Sequence, residues 1–197
     1  DGYRLAFQFT GSTTDGGTRV RLDGTDGLEW SDAESVRALS FSESSEVSGP
    51  VVFAGYGLVV PETDGFSYDS YATLDVTDKI VMALRYFPED AEQDLRSTFS
   101  RYSSLRFKAQ AARQRGASGL LVVTGPRSPN AGALVRMTGD TAVADSGIAA
   151  ASVSLSVADA LFDLVPDMTL EEAQRALDSG NPHVSGFEIP VDLTLDA

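Results

Sequence analysis

The chain has 197 residues, 42% of them hydrophobic, no cysteine and a formal net charge of -14. The length suits one domain, or one domain with an extra lobe, and the apolar fraction is enough for a packed core, which excludes wholesale disorder. So acidic a surface argues against nucleic acid or anionic lipid as a partner, because phosphate contacts need basic groups; the lack of cysteine excludes disulfides, thiolate metal sites and a cysteine nucleophile.

No run is long and apolar enough to insert into a membrane. The chain opens on Asp1-Gly2-Tyr3 with no signal-peptide pattern, which reads as a processed or trimmed start. Strict alternation follows. Tyr3, Leu5, Phe7 and Phe9 point one way, with Arg4, Ala6, Gln8 and Thr10 opposite, the pattern of a half-buried strand. Polar turns over 11–17 and 23–27 separate it from a second strand at Arg19–Leu22. Short strands are predicted around Glu29-Trp30 and over Val36–Phe41.

In GPVVFAGYGLVVP, residues 49–61, two apolar runs flank Gly55-Tyr56-Gly57. Glycine inside a strand pattern signals a bulge or a close backbone approach, and here a bend between paired strands. Residues 62–78 read as a polar and aromatic connection with one helical turn near Tyr68–Tyr71. From Lys79 to Val123 the chain reads strand, helix, strand: KIVMALRY, then RYSSLRFKAQAARQRGAS, then GLLVV. The helix places Tyr102, Leu105, Ala109 and Ala112 on one face. Gly116 follows, at the position where a helix end favours positive φ. Two apolar strands joined by a helix make a βαβ crossover.

Residues 124–132, TGPRSPNAG, form a surface loop just beyond a strand. Short strands are predicted at Ala133–Met137 and Ser152–Leu155, and a short helix from Ser156. Thr169 and Glu172 form a capping box for a helix that turns Leu170, Ala173 and Leu177 inward and stops at Gly180-Asn181-Pro182. The tail alternates Phe187, Ile189, Val191, Leu193 and Leu195 against polar residues, with Pro190 marking an edge strand or a bulge. The whole is an α/β chain, sheet-dominated with α+β character.

Catalytic constellations are scarce. The lone histidine, His183, sits in a turn, and no G-x-S-x-G elbow is present, so a serine triad lacks its base. One histidine does not furnish a catalytic zinc site. Asp23, Asp26 and Glu34 have part of a calcium-loop spacing, but Leu28 occupies the position where that loop needs glycine, and the segment reads first as a turn. Gly55-Tyr56-Gly57 lacks the third glycine of a dinucleotide loop, since Val60 stands there. With 29 acidic residues, paired carboxylates arise by chance and none is singled out.

Three segments together resemble a known family. They are VVFAGYGLVVPE followed by Tyr68-Asp69-Ser70-Tyr71; Leu74-Asp75-Val76-Thr77-Asp78-Lys79-Ile80-Val81; and Lys108-Ala109 with Ala112, Gly116 and Ala117 leading into Leu120–Val123. Their order is similar to the protease-associated (PA) domain, as inserted in di-zinc aminopeptidases of the transferrin-receptor and glutamate-carboxypeptidase type. The tail GFEIPVDLTL resembles the strand by which that domain returns to the peptidase. One departure is Asp78, where the family usually has glycine; a turn with positive φ tolerates Asp less well than Gly.

The resemblance implies an open β-barrel or sandwich with flanking helices and one βαβ crossover, with residues 1–46 as leading strands and 47–197 as the PA-like unit. It implies no catalytic residue, metal or cofactor in this chain, the zinc belonging to a separate catalytic domain. Its expected partners are that catalytic domain, a peptide or protein substrate, and a second copy in a homodimer. A secreted, periplasmic or envelope setting goes with it. Gly55, Gly57, Asp69, Tyr71, Lys79, Lys108 and Gly116 are its structural motif residues. Arg127 and Asn130, in the loop beyond a strand's carboxyl end, are the candidate substrate contacts. A stand-alone receptor-type interaction module and a carboxylate-based hydrolase are the rival readings.

Overall fold

The structure, a computed structural model, describes residues 15–24, 27–63, 65–137, 146–184 and 186–197. The strand expected around Tyr3–Phe9 lies outside them. In chain order the strands are β1 (Arg19–Leu22), β2 (Glu29–Trp30), β3 (Val36–Ala38), β4 (Glu46–Phe53), β5 (Val59–Thr63), β6 (Phe66–Asp69), β7 (Ile80–Leu84), β8 (Gly119–Val123), β9 (Ala149–Val153) and β10 (Phe187–Asp196). The helices are α1 (Gln93–Tyr102), α2 (Leu105–Gln114), α3 (Leu155–Phe162) and α4 (Leu170–Leu177).

Eight strands share one mixed sheet in the order β2-β1-β10-β4-β7-β8-β9-β3, and β5 and β6 form a separate hairpin. The centre, β4-β7-β8-β9, is parallel throughout, with Val52 opposite Val81, Val81 opposite Leu120 and Leu120 opposite Ala150. Every residue of β7, β8 and β9 is buried, as expected of parallel strands covered on both faces. Ile80, Met82 and Leu84 face a core shared with α3 and α4, where Phe162 meets Phe53 edge-on at 5.2 Å. Val81 and Ala83 face a second core against α2, built with the small side chains of Ala109 and Ala112. The sheet curls: although β1 and β3 lie far apart in the strand order, they touch, and the Asp15 carboxylate joins them by accepting the backbone N–H groups of Thr18 and Ala38. The result is the expected open barrel with flanking helices.

Several local expectations need correction. The crossover holds two helices, not one. The Ser104 side chain accepts the Phe107 N–H and starts α2 afresh, so Tyr102 ends α1 and does not share the face of Leu105, Ala109 and Ala112. The segment around Tyr68 is a strand, because Phe66 and Tyr68 alternate inward and pack edge-on against Phe99. The strands flanking Gly55-Tyr56-Gly57 do not pair with each other; β4 belongs to the large sheet and β5 to the hairpin. Residues 133–137 are not a strand, and the Val135 N–H donates to Ser152 Oγ.

Other expectations hold. The Thr169–Glu172 capping box is complete. β10 is one long strand whose register shifts between Ile189 and Asp192, so Pro190 marks a bulge in an interior strand. Asp78 has φ +57. Asp26 of the candidate calcium loop lies outside the described residues, and Asp23 accepts hydrogen bonds from Thr194 and Arg21.

Candidate functional site at the carboxyl ends of the parallel strands

Parallel strands run the same way, so β4, β7, β8 and β9 release their loops at one edge of the sheet. Those loops carry Gly55–Gly57, Arg85–Asp90 and Thr124–Gly132. The fully buried ammonium of Lys108 ties the first two together. It donates to the carbonyl oxygens of Tyr56 (2.5 Å), Leu84 (2.7 Å) and Tyr86 (2.6 Å), and lies 5.7 Å from the Tyr56 ring centroid. Burial pushes its pKa well below the ordinary lysine value. The three carbonyls use all its donors, so a group that is costly to bury is fully hydrogen-bonded. Sequence reading placed Lys108 in a structural motif but missed this clamp.

A second polar network braces the Thr124–Gly132 loop. The Tyr56 hydroxyl donates to Asp178 Oδ1 at 2.6 Å and accepts from Gln174 Nε2 at 3.1 Å. Gln174 also donates to Ser128 Oγ and accepts the Arg127 N–H. Arg127 Nε donates to Asp178 Oδ2 at 2.5 Å, and its Nη2 to Asp90. Gln174, on the inner face of α4, and Asp178, which caps its carboxyl end, are fully buried. A Cβ on Gly125 would lie 2.3 Å from Gln174 Oε1 and 2.7 Å from Leu84 Cδ2, so only glycine lets this loop close on the helix.

Arg127 is therefore not the exposed side chain that its loop suggested: it is half-buried and held by two carboxylates. Asn130 is exposed, with φ +56, at the mouth of an open cleft of about 480 Å³ lined by Arg85, Leu134, Val135 and Arg136 as well. Neither Arg85 nor Arg136 has a carboxylate partner among the described residues. Arg85 instead lies over the ring of Tyr86, whose φ is +68.

The remaining motif residues hold the frame. Gly57 has φ +58, and a Cβ there would lie 3.1 Å from Ala83 Cβ. Gly55 shares the same turn, and its carbonyl accepts the Leu84 N–H. Asp69 accepts the Tyr71 N–H and pairs with Arg115 at 2.8 Å, while Arg115 covers the Tyr71 ring at 4.9 Å. The Tyr71 hydroxyl is buried without a hydrogen-bond partner among the described residues. Lys79 pairs with the exposed Glu188, as its position at the start of a buried strand suggested. Gly116 follows α2, and its carbonyl accepts the Asp78 N–H.

His183 lies in an exposed turn, and among the described residues no three His, Asp or Glu side chains are placed to hold a metal ion. The PA domain family profile matches residues 47–161, more than half of the chain.

The chain belongs to the PA domain family.

The matched span of this PA domain contains Lys108, Arg127 and Asn130; α4, with Gln174 and Asp178, lies beyond it. Among solved structures, an aminopeptidase from Aneurinibacillus sp. strain AM-1 is similar over 96% of this chain and 32% of its own, at 18% identity and a TM-score of 0.53. BSAP, a zinc aminopeptidase from Bacillus subtilis, matches at 18% identity and a TM-score of 0.42, over 94% of this chain and 31% of its own. The subtilisin-like protease Apa1 from Pseudoalteromonas sp. AS-11 matches at 12% identity and a TM-score of 0.43, over 94% and 34%. This PA domain thus spans about a third of each of these proteases. No curated protein matches it.

Proposed function

We propose that this PA domain is a non-catalytic accessory module of a secreted zinc-dependent aminopeptidase, and that it shapes the access of peptides to the catalytic domain. The family match over residues 47–161 carries the reading. The loops at the carboxyl ends of the parallel strands support it, because Lys108 and the Tyr56–Asp178–Arg127 network hold them rigidly around one open cleft. Pre-organised loops favour selection among ligands, since little ordering is left for binding to oppose. On this reading the metal and the bond-breaking chemistry belong to the catalytic domain. That domain, the peptide substrate and a second copy of the whole enzyme are the proposed partners.

Asn130 lines the cleft with an exposed side chain, which makes it the informative residue. In a polypeptide that joins this PA domain to its peptidase, Asn130→Gly, which keeps the positive φ, combined with Arg85→Ala should alter KM across a panel of peptides. The thermal midpoint should stay unchanged. Identical kinetics on every peptide would count against the proposal, and so would zinc-dependent peptide cleavage by the PA domain alone.

A further inference from the structure

We infer that the groove between α3 and α4 is a docking surface for a cationic peptide segment, one in which Arg or Lys alternates with apolar residues. The inference does not rest on the role proposed for the cleft at Asn130. The groove has a volume of about 420 Å³ and an apolar floor of Leu155, Phe162 and Leu170, walled by Pro126 and by Met168. Met168 is one of three large hydrophobic side chains exposed among the described residues, at 39%. It follows Asp167, whose φ of +56 turns the chain out between the two helices. Asp159, Asp163 and Glu171 rim the groove, and among the described residues no basic one lines it.

Charge complementarity identifies the occupant. Between Arg136 and Arg175 the sequence carries seven carboxylates and no basic residue, far denser than the average for a chain of net charge -14. Glu171 is paired with Arg175 at 2.7 Å. Asp159 and Asp163 have no ion pair among the described residues and stand one helical turn apart, on α3 and at its C-cap, where like charges repel. Burial and the Asp163 charge both push the Asp159 carboxyl above its ordinary range. A guanidinium or ammonium between the two carboxylates relieves that repulsion, while the neighbouring apolar side chain covers Met168 and the Phe162 floor. An anionic or purely apolar partner meets the first of these features badly or not at all.

The test is a heteronuclear NMR titration of the whole chain with acetyl-Ala-Leu-Arg-Leu-Lys-amide. Two controls replace Arg and Lys by Gln or by Glu. The cationic peptide should shift resonances of Asp159, Asp163 and Met168. Its affinity should fall roughly tenfold when NaCl rises from about 0.05 M to about 0.5 M. Asp159→Asn with Asp163→Asn should weaken binding about fivefold or more while leaving the thermal midpoint equal or higher, because a repulsion is removed. Met168→Ser should weaken it without changing the salt dependence. Equal binding of the Gln peptide, shifts confined to other surfaces, or no binding at about 1 mM peptide would each overturn the inference.

Discussion

The Lys108 ammonium and the Tyr56 carbonyl oxygen, 52 residues apart in sequence, meet at 2.5 Å inside the fold. The same ammonium reaches Leu84 and Tyr86, so one side chain on α2 fixes the ends of two parallel strands. Replacing it with an apolar residue of similar length would leave three buried carbonyls short of a donor.

Lys108→Met should therefore destabilise the fold by about 2–4 kcal/mol, measured by denaturant unfolding. The gap should also depend on pH. Because burial lowers the folded pKa, the unfolded chain holds a proton that the folded chain sheds, over the window between that lowered value and the ordinary one. In this window stability rises with pH. The wild-type advantage over the methionine variant should thus widen as pH rises from neutral towards about 10. A gap that narrows would mean that the three carbonyls hold the charged form more strongly than burial opposes it.

Tyr56→Phe removes a donor from Asp178 and an acceptor from Gln174, both fully buried. A loss of about 1–3 kcal/mol is expected. Combined with Asp178→Asn in a double-mutant cycle, the two changes should couple by more than about 0.5 kcal/mol. Amide exchange in the Thr124–Gly132 loop should accelerate in either variant. Additive effects with unchanged exchange would show that the network does not brace the loop.

Six tyrosines titrate in the unfolded chain, but three are buried in the fold. Burial pushes Tyr68 up to about 12, and Tyr56 and Tyr71 further still; the Asp178 hydrogen bond adds to the rise at Tyr56. At about pH 11, Tyr56, Tyr68 and Tyr71 should add phenolate absorbance only when the protein is denatured. The unfolded chain releases these protons first, so they subtract stability as pH climbs past about 10. Full ionisation of native protein at that pH would mean that these hydroxyls are open to solvent.

Gly125→Ala tests how closely the loop sits on α4. The added Cβ would overlap Gln174 Oε1 and Leu84 Cδ2, and a cost of about 1–3 kcal/mol is expected from overpacking. The paired change Gln174→Ala should recover little, because it also strips Tyr56, Ser128 and Arg127 of a shared partner. Neutral behaviour of the single variant would show that the loop has room to move away.

Much of the frame was legible because its causes are local. The buried parallel strands show as unbroken apolar runs, the α4 start shows as Thr169 with Glu172, and Pro190 points to its bulge. The site was far less legible. Lys108 sits beside Ala109 in an ordinary amphipathic helix, and nothing nearby in sequence announces three carbonyls from distant segments. Gln174 and Asp178 do offer a hint: they stand four apart on the face that also carries Leu170 and Leu177, where polar residues need partners. The helix break at Ser103-Ser104 is written in the capping residue Ser104, but the apolar spacing that continues through it masks the signal. Arg127 looked free because its loop composition is that of a surface, whereas its carboxylate partners lie 37 and 51 residues away.

The pairing of β1 with β10 sets Arg19 directly opposite Asp196. Entry and exit of the described fold are thus neighbours, about 5 Å apart as paired strands require. Such a unit can be spliced into a loop of another polypeptide without prising that host apart. By the same geometry, a short linker between these two points, with a new opening at Gly65 in the small hairpin, gives a circularly permuted chain that retains every described strand.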